Sequence, residues 1–136
     1  MILTKGEKLT IASNFQNLNL VERVIDDVCE QFKVNEDRYG NILIAVTEAV
    51  NNAIQHGNAN NPEKLVTIDY EVDPTCITFF VSDEGRGFNY NELPDPTAPE
   101  NIEKLNGRGI FLMRNLSDEL QFENEGTRVQ LKFNLN

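Results

Sequence analysis

The sequence predicts an α+β fold in two layers, with helices covering one face of a sheet. Two strand-like runs, LVTIDYEV (Leu65–Val72) and CITFFVS (Cys76–Ser82), are separated only by Asp73-Pro74-Thr75, which has the residue types of a hairpin turn. Two helical patterns precede these strands, and a further helix and a second hairpin follow a long polar segment. The order is therefore β-α-α-β-β-loop-α-β-β, with no internal repeat.

Each element has its own signal. KLTIAS (Lys8–Ser13) alternates weakly and reads as the first strand. Apolar residues at Leu18, Val21, Val24, Ile25, Val28 and Phe32 then recur at helical steps, the stripe of an amphipathic helix. Asn35 precedes Glu36 and Asp37, an N-cap followed by acid where the helix dipole favours it. The helix it starts is expected to run to about His56, with Gly57 ending it. After Ser82 the texture changes. Leu93–Glu100 (LPDPTAPE) holds three of the five prolines, and Asn89–Asn106 around it has the length and polarity of a functional loop. Ile110, Phe111, Met113 and Leu116 recur helically from Gly109. Leu120–Phe122 and Thr127–Leu135 form the closing hairpin, turned at Asn124-Glu125-Gly126.

At 136 residues the chain fits one compact domain, residues 1–136. Twelve basic against 22 acidic residues leave a net charge of −10, a poor field for a phosphate backbone, so direct nucleic-acid binding is not expected. Cys29 and Cys76 are too few for a disulfide framework and lack the paired spacing of a zinc site, so they read as small core residues. No apolar run approaches the roughly 18 residues of a membrane span. The N-terminus MILTKGEKLT lacks the apolar region of a signal peptide. The expectation is a cytoplasmic protein that makes no membrane contact.

The second helix carries the first chemical oddity, EAVNNAIQHG (Glu48–Gly57). At helical spacing Tyr39, Ile42, Leu43, Val46, Val50, Ala53 and Ile54 form the core stripe, while Glu48 and Asn52 stack on the other side. A wet polar face accounts for most such helices. Asn51-Asn52, however, places two mediocre helix formers where Lys or Glu would cost less. Glu48 and Asn52 both offer hard oxygen atoms, able to share a divalent cation or a water. Ala45 and Ala49 beside them are small enough to admit a ligand. His56, the chain's one histidine, reads as a helix-end residue favoured by the dipole.

Two glycine-bearing segments follow. In DEGRGF, Asp83, Gly85 and Gly87 come directly after an apolar strand. They form either an ordinary strand-ending turn or a carboxylate that accepts a hydrogen bond from a flat ligand brought close by the glycines. In NGRGIF, Gly107, Arg108 and Gly109 stand at a loop-to-helix junction, either a hinge with a cap or an anion cradle of free N–H groups. Neither segment has the pattern of a P-loop or a Rossmann turn.

Taken in this order, the motifs resemble those of the GHKL (Bergerat-fold) ATPase superfamily, whose members carry a histidine-kinase-like ATPase domain. AVTEAVNNAIQHG is similar to its N-box, VSDEGRGF to its G1 box and NGRGIFLM to its G2 box, with Gly126-Thr127 matching the last motif. The resemblance runs from about Leu9 to Leu135. Within the superfamily the chain is most similar to the anti-sigma-factor serine/threonine kinases, with GRGIFLMRNLSDEL resembling their continuation after the G2 box.

The resemblance implies a two-layer α/β sandwich with a mixed, mostly antiparallel sheet. It implies ATP and Mg²⁺ as cofactors, and an ATP lid at about residues 89–108. Glu48 would be the general base, accepting the substrate serine's proton or orienting water. Asn52 would ligate Mg²⁺, and Asp83 would bind the adenine amino group with support from Thr127. Gly85 and Gly87 would shape the adenine pocket. Gly107, Arg108 and Gly109 would close on the phosphates, joined by Lys104, the other basic residue of the lid. The implied partners are a sigma factor, a STAS-domain anti-anti-sigma protein and a second copy in a homodimer. A nucleotide-dependent regulator with little kinase activity is the alternative, because the lid has no arginine before the G2 glycines.

Overall fold

The computed structural model describes residues 4–5, 8–85 and 105–135. The sheet is built from β1 (Thr4–Lys5), β2 (Leu9–Ala12), β3 (Leu65–Val72), β4 (Cys76–Ser82), β5 (Glu119–Glu123) and β6 (Arg128–Asn134). Its helices are α1 (Leu18–Gln31), α2 (Glu36–Asn52) and α3 (Leu105–Leu116). The strands lie in the order β1-β3-β4-β6-β5, with β2 also paired to β3. Every pairing among these strands is antiparallel, which sharpens the expectation of a mostly antiparallel sheet.

Strands β3 and β4 form where the alternating pattern places them, because the turn between them closes on one carboxylate. The Asp73 Oδ1 atom accepts from Thr75 N at 2.7 Å, Cys76 N at 2.9 Å and Thr75 Oγ1 at 2.8 Å. These bonds hold the Asp73 carboxyl well below the usual carboxylate range, at about 2, with the Thr75 backbone N–H the largest cause. Pairing then sets Ile68 against Val81, Tyr70 against Phe79, Phe79 against Leu131 and Val81 against Val129, all on the face the helices cover. The other face carries Asp69, Thr78, Gln130 and Lys132, with Phe80 shielded by the Arg128 guanidinium 4.5 Å from its ring.

Helix α2 begins as read from its cap: Asn35 Oδ1 accepts the Arg38 N–H at 2.9 Å. Ile42, Val46, Val50 and Ile54 are wholly buried, each stabilising the fold by about 1.5–3 kcal/mol. The helix is buried more widely than a single stripe, because α3 packs on it and Ala45 and Ala49 are buried too. Its end differs from a simple glycine stop. The α-helix closes at Asn52 and a π turn runs from Ala53 to Gly57. Both cysteines are buried and free, and burial raises the Cys29 thiol to about 11, so it behaves as a core residue.

Candidate functional site

The π turn brings the end of α2 against the end of β4. Asn58 N donates to Ala53 O at 2.8 Å, completing the wider turn, and Ala59 and Asn60 then reverse the chain with φ of 52° and 58°. Gly57 thereby sits directly on the Asp83 carboxylate, where a Cβ would stand 2.3 Å from Oδ2. Gly85 is locked to the same turn, since its Cβ would stand 1.8 Å from Gly57 O. Both positions require glycine for space rather than for backbone angle. Gly57 reads from sequence only as a helix terminator; its second task follows from a contact 26 residues away in the chain.

Asp83 is held from both sides. Its backbone N–H donates to Thr127 O at 2.8 Å, and its Oδ1 accepts the Gly85 N–H at 2.8 Å. Burial pushes its carboxyl above the ordinary aspartate value, against the opposing pull of the Gly85 N–H and the Lys64 charge. The Thr127 hydroxyl donates to Asn124 O at 2.8 Å, in the 3-10 turn before β6.

A cavity of about 160 Å³ opens between these elements. Ala49, Asn52, Ala53, His56 and Gly57 line it from α2 and its π turn, Ile110 and Met113 from α3. Val81, Asp83, Phe122, Gly126, Thr127 and Val129 complete it from the sheet side. His56 therefore borders the cavity, beyond its reading as a helix-end residue, and partial burial lowers its pKa. The apolar lining residues show no signal of their own in the sequence, because they share the hydrophobic pattern of the core.

Gly109 connects the cavity to the acidic side of α2. A Cβ there would stand 2.9 Å from Asn52 Nδ2, 3.2 Å from Asn52 Oδ1 and 3.3 Å from Glu48 Oε2. Glu48 and Asn52 are half-buried, and neither side chain is hydrogen-bonded among the described residues. Asn52 lines the cavity, whereas Glu48 stands just outside its lining. Two hard oxygen atoms around a spot that a methyl group would fill suit a hydrated Mg²⁺. Among the described residues no cluster of three or more His, Cys, Asp or Glu could hold a metal by itself.

The glycines of NGRGIF differ from the expected loop. Helix α3 begins at Leu105, so Gly107, Arg108 and Gly109 lie within its first turns rather than ahead of it. Gly109 needs no Cβ because it passes the Asn52 amide closely within the helix. Gly87 and Lys104 lie outside the described residues, as does most of the expected lid.

Fold and cavity together define a small-molecule binding domain, with largely apolar walls, one half-buried carboxylate, and amide and carboxylate side chains beside a glycine-bearing helix. The chain belongs to the histidine kinase-like ATPase domain family, which it matches over residues 11–133. It is 33% identical over 131 residues to the anti-sigma F factor of Geobacillus thermodenitrificans (strain NG80-2), covering 91% of this chain and 88% of that one. It is 28% identical over 132 residues to the serine-protein kinase RsbW of Staphylococcus aureus (strain JH9), covering 91% and 83%. The fold matches a crystal structure of the RsbU and RsbW domains of Rv1364c from Mycobacterium tuberculosis with a TM-score of 0.65 at 12% identity. That match covers 96% of this chain and 31% of the longer one, so the chain spans about a third of it.

Proposed function

We propose that this protein is an ATP-dependent serine/threonine kinase of the anti-sigma type, which sequesters a sigma factor and phosphorylates a STAS-domain anti-anti-sigma protein. One observation carries the reading. Asn52 on α2 and Asp83 after β4 line one cavity, and Gly109 on α3 packs against Asn52 and Glu48 at its edge, although these residues are far apart in sequence. Kinship with an anti-sigma factor and a serine-protein kinase supports both halves of the switch.

In this reading Asp83 Oδ2 accepts from the adenine amino group, since Oδ1 is already engaged by Gly85 N–H. Asn52 Oδ1 would hold a Mg²⁺, which when bound would supply charge neutralisation for the phosphates. The positive end of α3 and the close approach allowed by Gly109 let phosphates sit near an acidic protein. Glu48 orients the partner's serine hydroxyl and accepts its proton as the oxygen attacks the γ-phosphorus. The Pγ–O bond to the β-phosphate breaks, and ADP leaves. Phosphoryl transfer of this kind needs positioning and charge neutralisation more than covalent catalysis. Gly85 and Gly87 shape the adenine slot, Thr127 supports Asp83, and Lys104, Gly107, Arg108 and the rest of 89–108 cover the phosphates. The chain acts as one domain in the cytoplasm and pairs as a homodimer.

The test is transfer from γ-labelled ATP to a purified STAS-domain partner. Glu48→Gln is expected to abolish labelling while ATP still binds; strong labelling by that variant overturns the role of Glu48. A second reading, nucleotide-gated binding without transfer, is favoured by the presence of only Lys104 and Arg108 as basic residues in 89–108. It predicts partner affinity that depends on ATP, with no phosphate transferred over hours.

A further inference from the structure

Directly after the π turn stands a side chain that the reading above does not use. Asn58 is wholly buried, and its amide makes three hydrogen bonds to the chain. Its Nδ2 donates to Ser13 Oγ at 2.8 Å and to Leu65 O at 3.0 Å, while its Oδ1 accepts Glu84 N at 2.8 Å. Leu65 O can only accept and Glu84 N–H can only donate, so the amide has one orientation. Ser13 in turn gives its own proton to Lys64 O at 2.7 Å, which leaves it an acceptor toward Asn58. The network joins the end of β2, the start of β3, the exit of α2 and the residue after Asp83. Fully satisfied and buried, such a network specifies one geometry.

We infer that Asn58 is a positioning residue for nucleotide selection: it fixes the Asp83 carboxylate by clamping the following peptide to the end of α2. The inference rests on the proposal that Asp83 reads adenine. Three consecutive N–H groups are bound there: Asp83 to Thr127 O, Glu84 to Asn58 Oδ1 and Gly85 to Asp83 Oδ1. The Glu84 side chain adds a fourth tie, its Oε2 accepting Leu65 N at 2.9 Å. Of these, only the Asn58 bond links the loop to the helix that carries Asn52. It therefore sets the distance between the base-reading carboxylate and the phosphate end of the site. Aspartate at this position would keep an oxygen for Glu84 N–H but set another against Leu65 O; a hydrophobic residue would take the acceptor from Glu84 N–H and the donor from Leu65 O and Ser13 Oγ.

The test uses the full chain and three measurements: ATP and GTP affinity by titration in Mg²⁺, exchange of the Glu84 amide hydrogen, and the thermal midpoint. Asn58→Ala is expected to speed Glu84 exchange and to erode the preference for ATP over GTP about tenfold or more. Ser13→Ala, which weakens the same network away from the loop, is expected to lower the midpoint and leave the preference intact. Asn58→Asp is expected to lose stability yet keep the preference, since it retains the acceptor for Glu84. A folded Asn58→Ala protein with unchanged preference overturns the inference, as does loss of preference in Ser13→Ala in step with its stability. If Asn58→Ala does not fold, loss of preference in Asn58→Asp overturns it instead. Wild-type protein that takes up no ATP overturns the kinase reading, and the Glu84 exchange rate in the variants then judges the clamp by itself.

Discussion

Replacing Gly109 by alanine separates folding from function at this site. The residue lies inside α3, where alanine is the better helix former by about 1 kcal/mol, so propensity alone favours the variant. The added methyl stands 2.9 Å from Asn52 Nδ2, 3.2 Å from its Oδ1 and 3.3 Å from Glu48 Oε2. All three contacts are to the ends of two half-buried side chains, which can swing aside at small cost to the fold. Swinging aside is what the site cannot tolerate: a displacement near 1 Å of a positioned group costs on the order of 10²-fold in rate, and disturbing the surroundings of a metal ligand costs roughly 10–100-fold in affinity. Gly109→Ala is therefore expected to match or exceed the wild-type thermal midpoint without nucleotide. Its Mg²⁺-dependent ATP affinity and phosphoryl transfer are expected to fall about 10–100-fold. Titration with ATP in Mg²⁺ and in chelator, beside a thermal scan, reads both effects. A folded variant with wild-type Mg²⁺-dependent affinity and transfer would refute the placement of Asn52 and Glu48 around a shared ion.

Three further outcomes follow from the same geometry. Gly40→Ala makes the same chemical change in α2, where a Cβ meets nothing within 4 Å; it is expected to stabilise by about 1 kcal/mol and raise the thermal midpoint by roughly 2–6 °C without altering nucleotide binding. Asp73→Ala is expected to lower the midpoint at neutral pH. The Asp73 carboxyl is depressed to about 2 from 3.8, so its contribution is present above the ordinary value and lost as pH falls toward the folded one; wild type and variant should converge in acid. ATP affinity is expected to weaken on acidification at a higher pH than an ordinary aspartate would dictate, because burial raises Asp83 and a protonated carboxyl is a poorer acceptor for an amino group. Asp83→Asn, which does not titrate, should flatten that dependence in the same titration.

The parts of the fold legible in the sequence are those decided by neighbours in the chain. The bounds of β3 and β4 match the alternating runs because Asp73 closes their turn locally. Helix α2 starts at Glu36 because Asn35 caps it three residues away. Helix α1 follows its apolar stripe, ending one residue before Phe32. The π turn at Ala53–Gly57 was not legible, because it answers to the approach of Gly57 to Asp83 across the fold. Nor was the start of α3 at Leu105, since glycines that read as a loop are here held in a helix packed against α2. Asn58 belongs to no pattern in the sequence, and only its burial between β2, β3 and the Asp83 loop gives it a role.

By itself the sequence determined the α+β class, the order of elements, and which residue types were available: Glu48 and Asn52 on one helix, Asp83 after a strand, glycines before and within α3. Those follow from periodicity and turn chemistry, which act over a few residues. Tertiary structure decided which of them meet. It set Gly109 against Asn52 and Glu48, Gly57 against Asp83, and Asn58 between the two halves of the site, because close packing fixes distances that no local pattern encodes.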